Sequence, residues 1–194
     1  MRNSAKSYSS FPATSSRLLR VLSVLICCFL IVGCDRYKTK PLCSDDTTPS
    51  NLRSFTLNAS GTAFDMRTGL NWYRCLAGLS FSNGRCQGIP LRMSWGEAKR
   101  FAADLSEKSG IVWRLATKQQ LQNLIQPDCN GPALNTAVFH NIGAVNLWTE
   151  SSSWKHRKDY ACTVYAYNGA VSCKQSKATA YSFLLVTEQD PSNH

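Results

Sequence analysis

Apolar positions fall along this chain in several rhythms, and each rhythm predicts a different element. An apolar run from Val21 to Val32, relieved only by Ser23, extends over about twelve residues, short of the roughly 20 that cross a bilayer. It has the length of the apolar core of an export signal. From Asp35 to about Ser50 the chain is polar without an apolar period, which reads as a flexible tether with an r.m.s. span on the order of 20 Å. Folded structure is expected from near Phe55. Phe55-Thr-Leu-Asn and Ala63-Phe64-Asp65 are short strand material, and Asp65-Met-Arg-Thr68-Gly69 carries turn chemistry, with an Asp side chain to hold turn amides and a Gly to accept positive φ. Leu70 to Arg74 then alternates as a half-buried strand.

Helical spacing appears twice. Ser94-Trp-Gly-Glu97 is a capping-box pattern, after which Trp95, Ala98, Ala102 and Leu105 share a face and Gly110 supplies a stop. After a strand at Ile111 to Leu115, Thr117-Lys-Gln-Gln120 repeats the cap. Leu121, Leu124 and Ile125 form the second buried stripe, and Pro127 closes it. The remainder reads as β: Leu147 to Thr149, Ala161 to Tyr167, Ala170 to Cys173 and Tyr181 to Thr187, with a loose tail over 189–194. Asn168-Gly169 is a strong signal for a two-residue hairpin loop. The fold class is therefore α+β, two helices followed by clustered strands, and no internal repeat is present.

The start of the chain changes this picture. Arg2, Lys6, Arg17 and Arg20 precede the apolar run without any acid, and the run ends in Ile31-Val32-Gly33-Cys34. That ending resembles the lipobox of bacterial lipoproteins. The resemblance implies cleavage after residue 33, a diacylglyceryl group on the Cys34 thiol and an acylated amino group, and two or more acyl chains make anchoring stable. Asp35 resembles an inner-membrane retention signal, with the outer membrane as the alternative. Residues 1–33 are thus an export signal, 34–50 a lipidated tether and 51–188 the domain. Removal of the signal leaves 161 residues, enough for one domain with a real core, and 18 Lys and Arg against 12 Asp and Glu, a formal charge near +6.

Six cysteines remain besides Cys34: Cys43, Cys75, Cys86, Cys129, Cys162 and Cys173. An even set in an oxidising compartment reads as up to three disulfides. Metal binding is not expected, since there is no C-x-x-C pair and the three histidines are scattered. Cys75 and Cys86 bracket a Gly- and Ser-rich loop that a disulfide closes easily. With a two-residue Asn168-Gly169 loop, Val164 faces Cys173 and Cys162 lies diagonal to it at about 7–8 Å, beyond the usual disulfide reach. A bulge or a wider loop would bring them together; otherwise they pair elsewhere, and the partners of these four cysteines stay open.

Gly61-Thr-Ala-Phe-Asp65-Met-Arg-Thr68-Gly69-Leu70-Asn-Trp72-Tyr-Arg74-Cys75 resembles the opening signature of the Lcl C-terminal domain family. Cys86-Gln-Gly88, Trp95-Gly-Glu97-Ala98, Trp113-Arg-Leu-Ala-Thr117, Asn135 to Phe139 and Trp148-Thr-Glu-Ser151 follow in the family's order, so the resemblance covers roughly residues 55 to 187. The chain departs from the family pattern at Ala116, Gln120, Glu150 and its final strand. These family members are bacterial surface and envelope domains, and the resemblance implies a C-type-lectin-like scaffold with long, disulfide-braced loops.

Candidate chemistry is sparse. Trp72, Trp95, Trp113 and Trp148 are assigned to the core. Trp154 lies instead in the polar stretch Ser151 to Asp159, where Lys155, Arg157 and Lys158 suit carboxylates, sulfates or phosphates and the indole suits a sugar face. The expected partners are the membrane and an anionic glycan, a cell-wall polymer or another envelope protein, not nucleic acid, and no cofactor is expected. No Gly-x-Ser-x-Gly elbow, His-Glu-x-x-His or phosphate loop appears, and Cys75 with His140 is a poor nucleophile and base if Cys75 is oxidised. The expectation is a binding protein, not an enzyme.

Overall fold

Local capping decides where both helices begin. Ser94 Oγ accepts from Glu97 N and the Glu97 carboxylate accepts from Ser94 N, which starts α1 (Trp95–Ser109). Gly110, at φ 71°, ends it by donating to Ser106 O. Thr117 and Gln120 make the same reciprocal pair at α2 (Lys118–Asn123). The computed structural model describes residues 40–43, 52 and 54–191. The export signal, Cys34 and its lipidation, and tether residues 34–39 and 44–50 lie outside the described residues.

Around the helices are three small antiparallel sheets. The first joins β1 (Phe55–Leu57), β2 (Thr62–Asp65), β3 (Leu70–Tyr73), β10 (Leu185–Thr187) and β6 (Arg114–Leu115) in the order β1-β2-β3-β10-β6. The expected turn between β2 and β3 is present. Buried Asp65 accepts from Arg67 N and Thr68 Oγ1 through its carboxylate, and Gly69 takes φ 70° while donating to Asp65 O. The strand expected to be half-buried is buried through Leu70, Asn71 and Trp72: Phe139 packs edge-on against Trp72, and Asn71 Nδ2 donates to Gln189 O. A second sheet, β4 (Ser80–Ser82) with β5 (Arg85–Gln87), lies within what the sequence presented as a loop. The third comprises β7 (Asn146–Ser152), β8 (Tyr160–Tyr165) and β9 (Val171–Ser176).

The expected two-residue hairpin is corrected. Tyr165 N donates to Ala170 O and Gly169 N to Tyr165 O, so the β8–β9 connection spans the four residues Ala166 to Gly169, and Val164 faces Val171 instead of Cys173. The wider turn moves the register by two and sets Cys162 opposite Cys173, which are disulfide-bonded with Cα atoms 3.8 Å apart. A register shift follows immediately beyond the pair. Cys75 bonds Cys86, as expected, and Cys43 bonds Cys129.

This last bond changes the reading of the tether. Cys43 is buried, its N–H donates to Asn130 O, Asn130 N donates to Pro41 O, and Lys40 Nζ reaches Pro127 O. Residues 40–43 are therefore docked on the domain. The first tail residue is docked too: Gln189 O accepts from Asn71 Nδ2 and its side-chain oxygen from Val112 N, while residues 192–194 lie outside the described residues. Burial divides into two neighbouring clusters. One centres on Trp72, Leu121, Leu134 and Phe139, the other on Trp148, Phe183, Leu115 and the Ala98–Ala102 face of α1.

Candidate functional site

Antiparallel pairing of β7 and β8 forces the seven residues between them into a tip, and the turn chemistry of that tip displays its side chains. Ser153 N donates to Tyr160 O, and the N–H groups of Asp159 and Tyr160 both reach His156 O, closing a tight loop. Backbone groups are consumed internally, so Trp154, Lys155, Arg157 and Lys158 project outward. Trp154 is 77% exposed, which is unusual for an indole and costs apolar hydration. Lys155 Nζ lies 5.0 Å from its ring centroid. Among the described residues none of Lys155, Arg157 or Lys158 forms an ion pair; the recorded pairs are Arg67–Asp65, Arg114–Glu150 and Arg114–Glu188. The four residues singled out in the sequence are thus brought together on one exposed tip.

Lys177, which the sequence reading missed, fastens this tip to α1. Its N–H donates to Asp159 O, its ammonium to Arg157 O, and its carbonyl accepts from Trp95 N. The same ammonium lies 4.1 Å from the Trp95 ring centroid, and Lys99 Nζ lies 4.8 Å from it. The assignment of four tryptophans to the core therefore needs one correction. Trp72, Trp113 and Trp148 are buried, whereas Trp95 is only partly covered, with its Nε1 donating to Thr149 O. Its first-turn position on α1 leaves one side of the ring outside the core, where two lysines cover it. The periodicity of α1 could not separate a boundary position from a core one. Together the tip, Lys177 and Lys99 form a cationic surface interleaved with two indoles, suited to an anionic, ring-containing ligand.

A second charged cluster is internal. Arg74, buried at the end of β3, donates from Nε to Val138 O and from Nη2 to Ala137 O, while Phe81 lies under its guanidinium at 4.7 Å. Its Nη2 is 2.6 Å from His140 Nε2. A guanidinium only donates, so His140 must accept through Nε2 as a neutral ring carrying its proton on Nδ1. Burial, then the charges of Arg74 and Arg85, hold the His140 pKa below the usual histidine value. Cys75, the residue that might have acted with His140, is bonded to Cys86 and has no free thiol. The cluster ties the 135–140 segment to β3 through carbonyl hydrogen bonds. No group of His, Cys, Asp and Glu suited to a metal ion occurs among the described residues.

An apolar cleft lies elsewhere. It measures about 360 Å³ and runs between α1 and the segment after β3, lined by Tyr73, Leu79, Phe101, Leu105 and Trp113. Tyr73 is fixed there, donating to Leu79 O and accepting from Phe81 N.

Comparison with known families gives one match: the profile described as the Lcl C-terminal domain covers residues 61–187, about two thirds of the chain. Neither a curated protein nor a solved structure matches it.

Proposed function

The chain belongs to the Lcl C-terminal domain family, and on that premise we propose that it is an envelope lipoprotein, anchored through Cys34, whose β7–β8 tip binds an anionic glycan or cell-wall polymer. The observation that carries the reading is the exposed Trp154 among three cations that form no ion pair among the described residues. Indoles stack on the apolar faces of sugar rings, while guanidinium and ammonium groups meet sulfates, phosphates or carboxylates. Lys177 and Lys99 extend the positive surface along the polymer's path. The α+β arrangement, with two helices, small antiparallel sheets and three disulfides, supports a C-type-lectin-like scaffold. The apolar export run ending at Gly33-Cys34 supports the anchor, and Asp35 favours the periplasmic face of the inner membrane.

Retention on sulfated and on carboxylated polymer columns tests the site. Retention should fall as salt rises, because exposed charges are screened. It should also fall in the Lys155→Ala/Arg157→Ala/Lys158→Ala variant and in Trp154→Ala. Unchanged retention in the triple variant would remove the tip from the account. A second reading, an accessory lipoprotein that binds another envelope protein, is favoured by the apolar cleft beside Phe101 and Trp113. Crosslinking in intact cells separates the two, since a protein captured through the cleft, with no polymer, supports the second.

A further inference from the structure

We propose that the face built from residues 40–43, the 127–131 segment and the β8–β9 turn lies against the lipid bilayer, holding the cationic tip away from it. The inference rests on the Cys34 anchor proposed above. Its first support is chain length. Six peptide links join Cys34 to Lys40, and fully extended they reach about 20 Å. Without the docked segment, the tether would run unattached to Leu52, which packs against the core, a contour of about 60 Å, and the domain could turn any face to the membrane.

The second support is how firmly residues 40–43 are held. Cys43 is disulfide-bonded to Cys129, its N–H donates to Asn130 O at 2.8 Å, and Lys40 Nζ donates to Pro127 O. Gly131 N donates to Tyr167 O and Ala133 N to Ala166 O, which binds this segment to the β8–β9 turn. Residues 40–43, the 127–131 segment and the turn are thus joined into one surface.

The third support is what that surface exposes. Leu42 is 47% exposed and Tyr167 40% exposed, and both approach Gly131, where an added Cβ would meet Leu42 at 2.8 Å and Tyr167 at 3.4 Å. Lys40, two residues before Leu42, is exposed and donates from Nζ to the carbonyl of Pro127, which precedes Asp128 in the chain. An aliphatic side chain, a tyrosine and a lysine are the residue types that settle at a bilayer interface, with apolar stems inward and polar ends in the headgroups. Connectivity then places the cationic tip at the far end. The β8–β9 turn and the β7–β8 tip cap opposite ends of β8, whose six residues separate them by about 17 Å. The positive tip is thereby kept from collapsing onto anionic headgroups and left free for a ligand in the envelope space.

The test uses the lipidated protein, purified from membranes, isotopically labelled and placed in nanodiscs doped with a nitroxide-headgroup lipid. Amide signals of Lys40, Leu42, Cys43, 128–131 and 166–169 should broaden several-fold more than those of 154–158. Equal broadening, or stronger broadening at 154–158, would overturn the orientation. Inserting a long Gly-Ser segment between Asp35 and Lys40 leaves every described contact in place and should abolish the contrast. A contrast unchanged by the insertion would overturn the role given to the short tether. Intact mass measured on the same sample separates the two failures. Acyl groups absent from Cys34 would remove the anchor and this inference together, whereas acylated protein without contrast removes this inference alone.

Discussion

Replacing Gly169 with alanine tests the β8–β9 turn at the atom where it meets the rest of the domain. Gly169 has φ 76°, and a Cβ built on it would lie 2.6 Å from Ile125 Cγ2, 3.0 Å from Cγ1 and 3.3 Å from Cβ. Two costs therefore combine. Left-handed backbone costs a non-glycine residue about 1–2 kcal/mol. Forcing a methyl into packed atoms adds about 1–3 kcal/mol, because the close approach extends up to the Ile125 branch point and the side chain cannot swing clear. Gly84 is the internal control, with φ 74° and nothing within 4 Å of its added Cβ. Urea unfolding of the disulfide-intact protein should place Gly84→Ala about 1–2 kcal/mol below wild type and Gly169→Ala about 2–5 kcal/mol below. Ile125→Ala in the Gly169→Ala background should recover part of that loss, with a coupling of about 1–2 kcal/mol. Equal costs for the two glycine variants, or no coupling to Ile125, would refute the packing of the turn on α2's C-terminal end.

Other outcomes follow from the same structure. Because burial and the neighbouring arginines lower the folded pKa of His140, the unfolded chain takes up its proton first as pH falls. This contribution is fully present above the ordinary histidine value near 6.5 and is lost as pH falls from there through the lowered folded value. His140→Gln keeps an acceptor for Arg74 and should flatten that part of a urea-midpoint profile against pH; an unaltered slope would contradict it. Cys43→Ser/Cys129→Ser opens a link with sequence separation 86, whereas Cys162→Ser/Cys173→Ser opens one of 11. Loop-closure entropy assigns about 4.5 kcal/mol to the first and about 3 kcal/mol to the second, so thermal unfolding should show the larger loss in the first variant. Lys177→Met removes the ammonium that joins the tip to Trp95 while preserving the stem, and should reduce polymer retention with little change in unfolding midpoint.

The parts of this architecture that were legible in the sequence are those whose cause is local. Ser94 with Glu97 and Thr117 with Gln120 mark helix starts because a cap is satisfied within four residues. Asp65 and Gly69 mark a turn for the same reason, and Cys75 and Cys86 close a loop they visibly bracket. The cationic tip was legible because its tryptophan breaks the apolar periodicity. The rest depends on distant partners. The pairing of β10 with β3 joins segments more than a hundred residues apart, and that with β6 segments about seventy apart. Cys43 sits in a polar stretch with no pattern that points to Cys129. Asn168-Gly169 correctly signalled a hairpin, but the docking of residues 131 and 133 on its backbone accompanies the wider turn and is invisible locally. Lys177 gave no signal at all, since its importance lies in a helix eighty residues earlier.

The most direct test of the whole account is capture of a fluorescent sulfated glycan by zwitterionic vesicles carrying the lipidated protein. The account predicts that vesicles sediment with the glycan at low salt, and that capture falls with added salt and with Lys155→Ala/Arg157→Ala/Lys158→Ala. Vesicles that hold the protein but capture no glycan, or capture it equally with the triple variant, would contradict it.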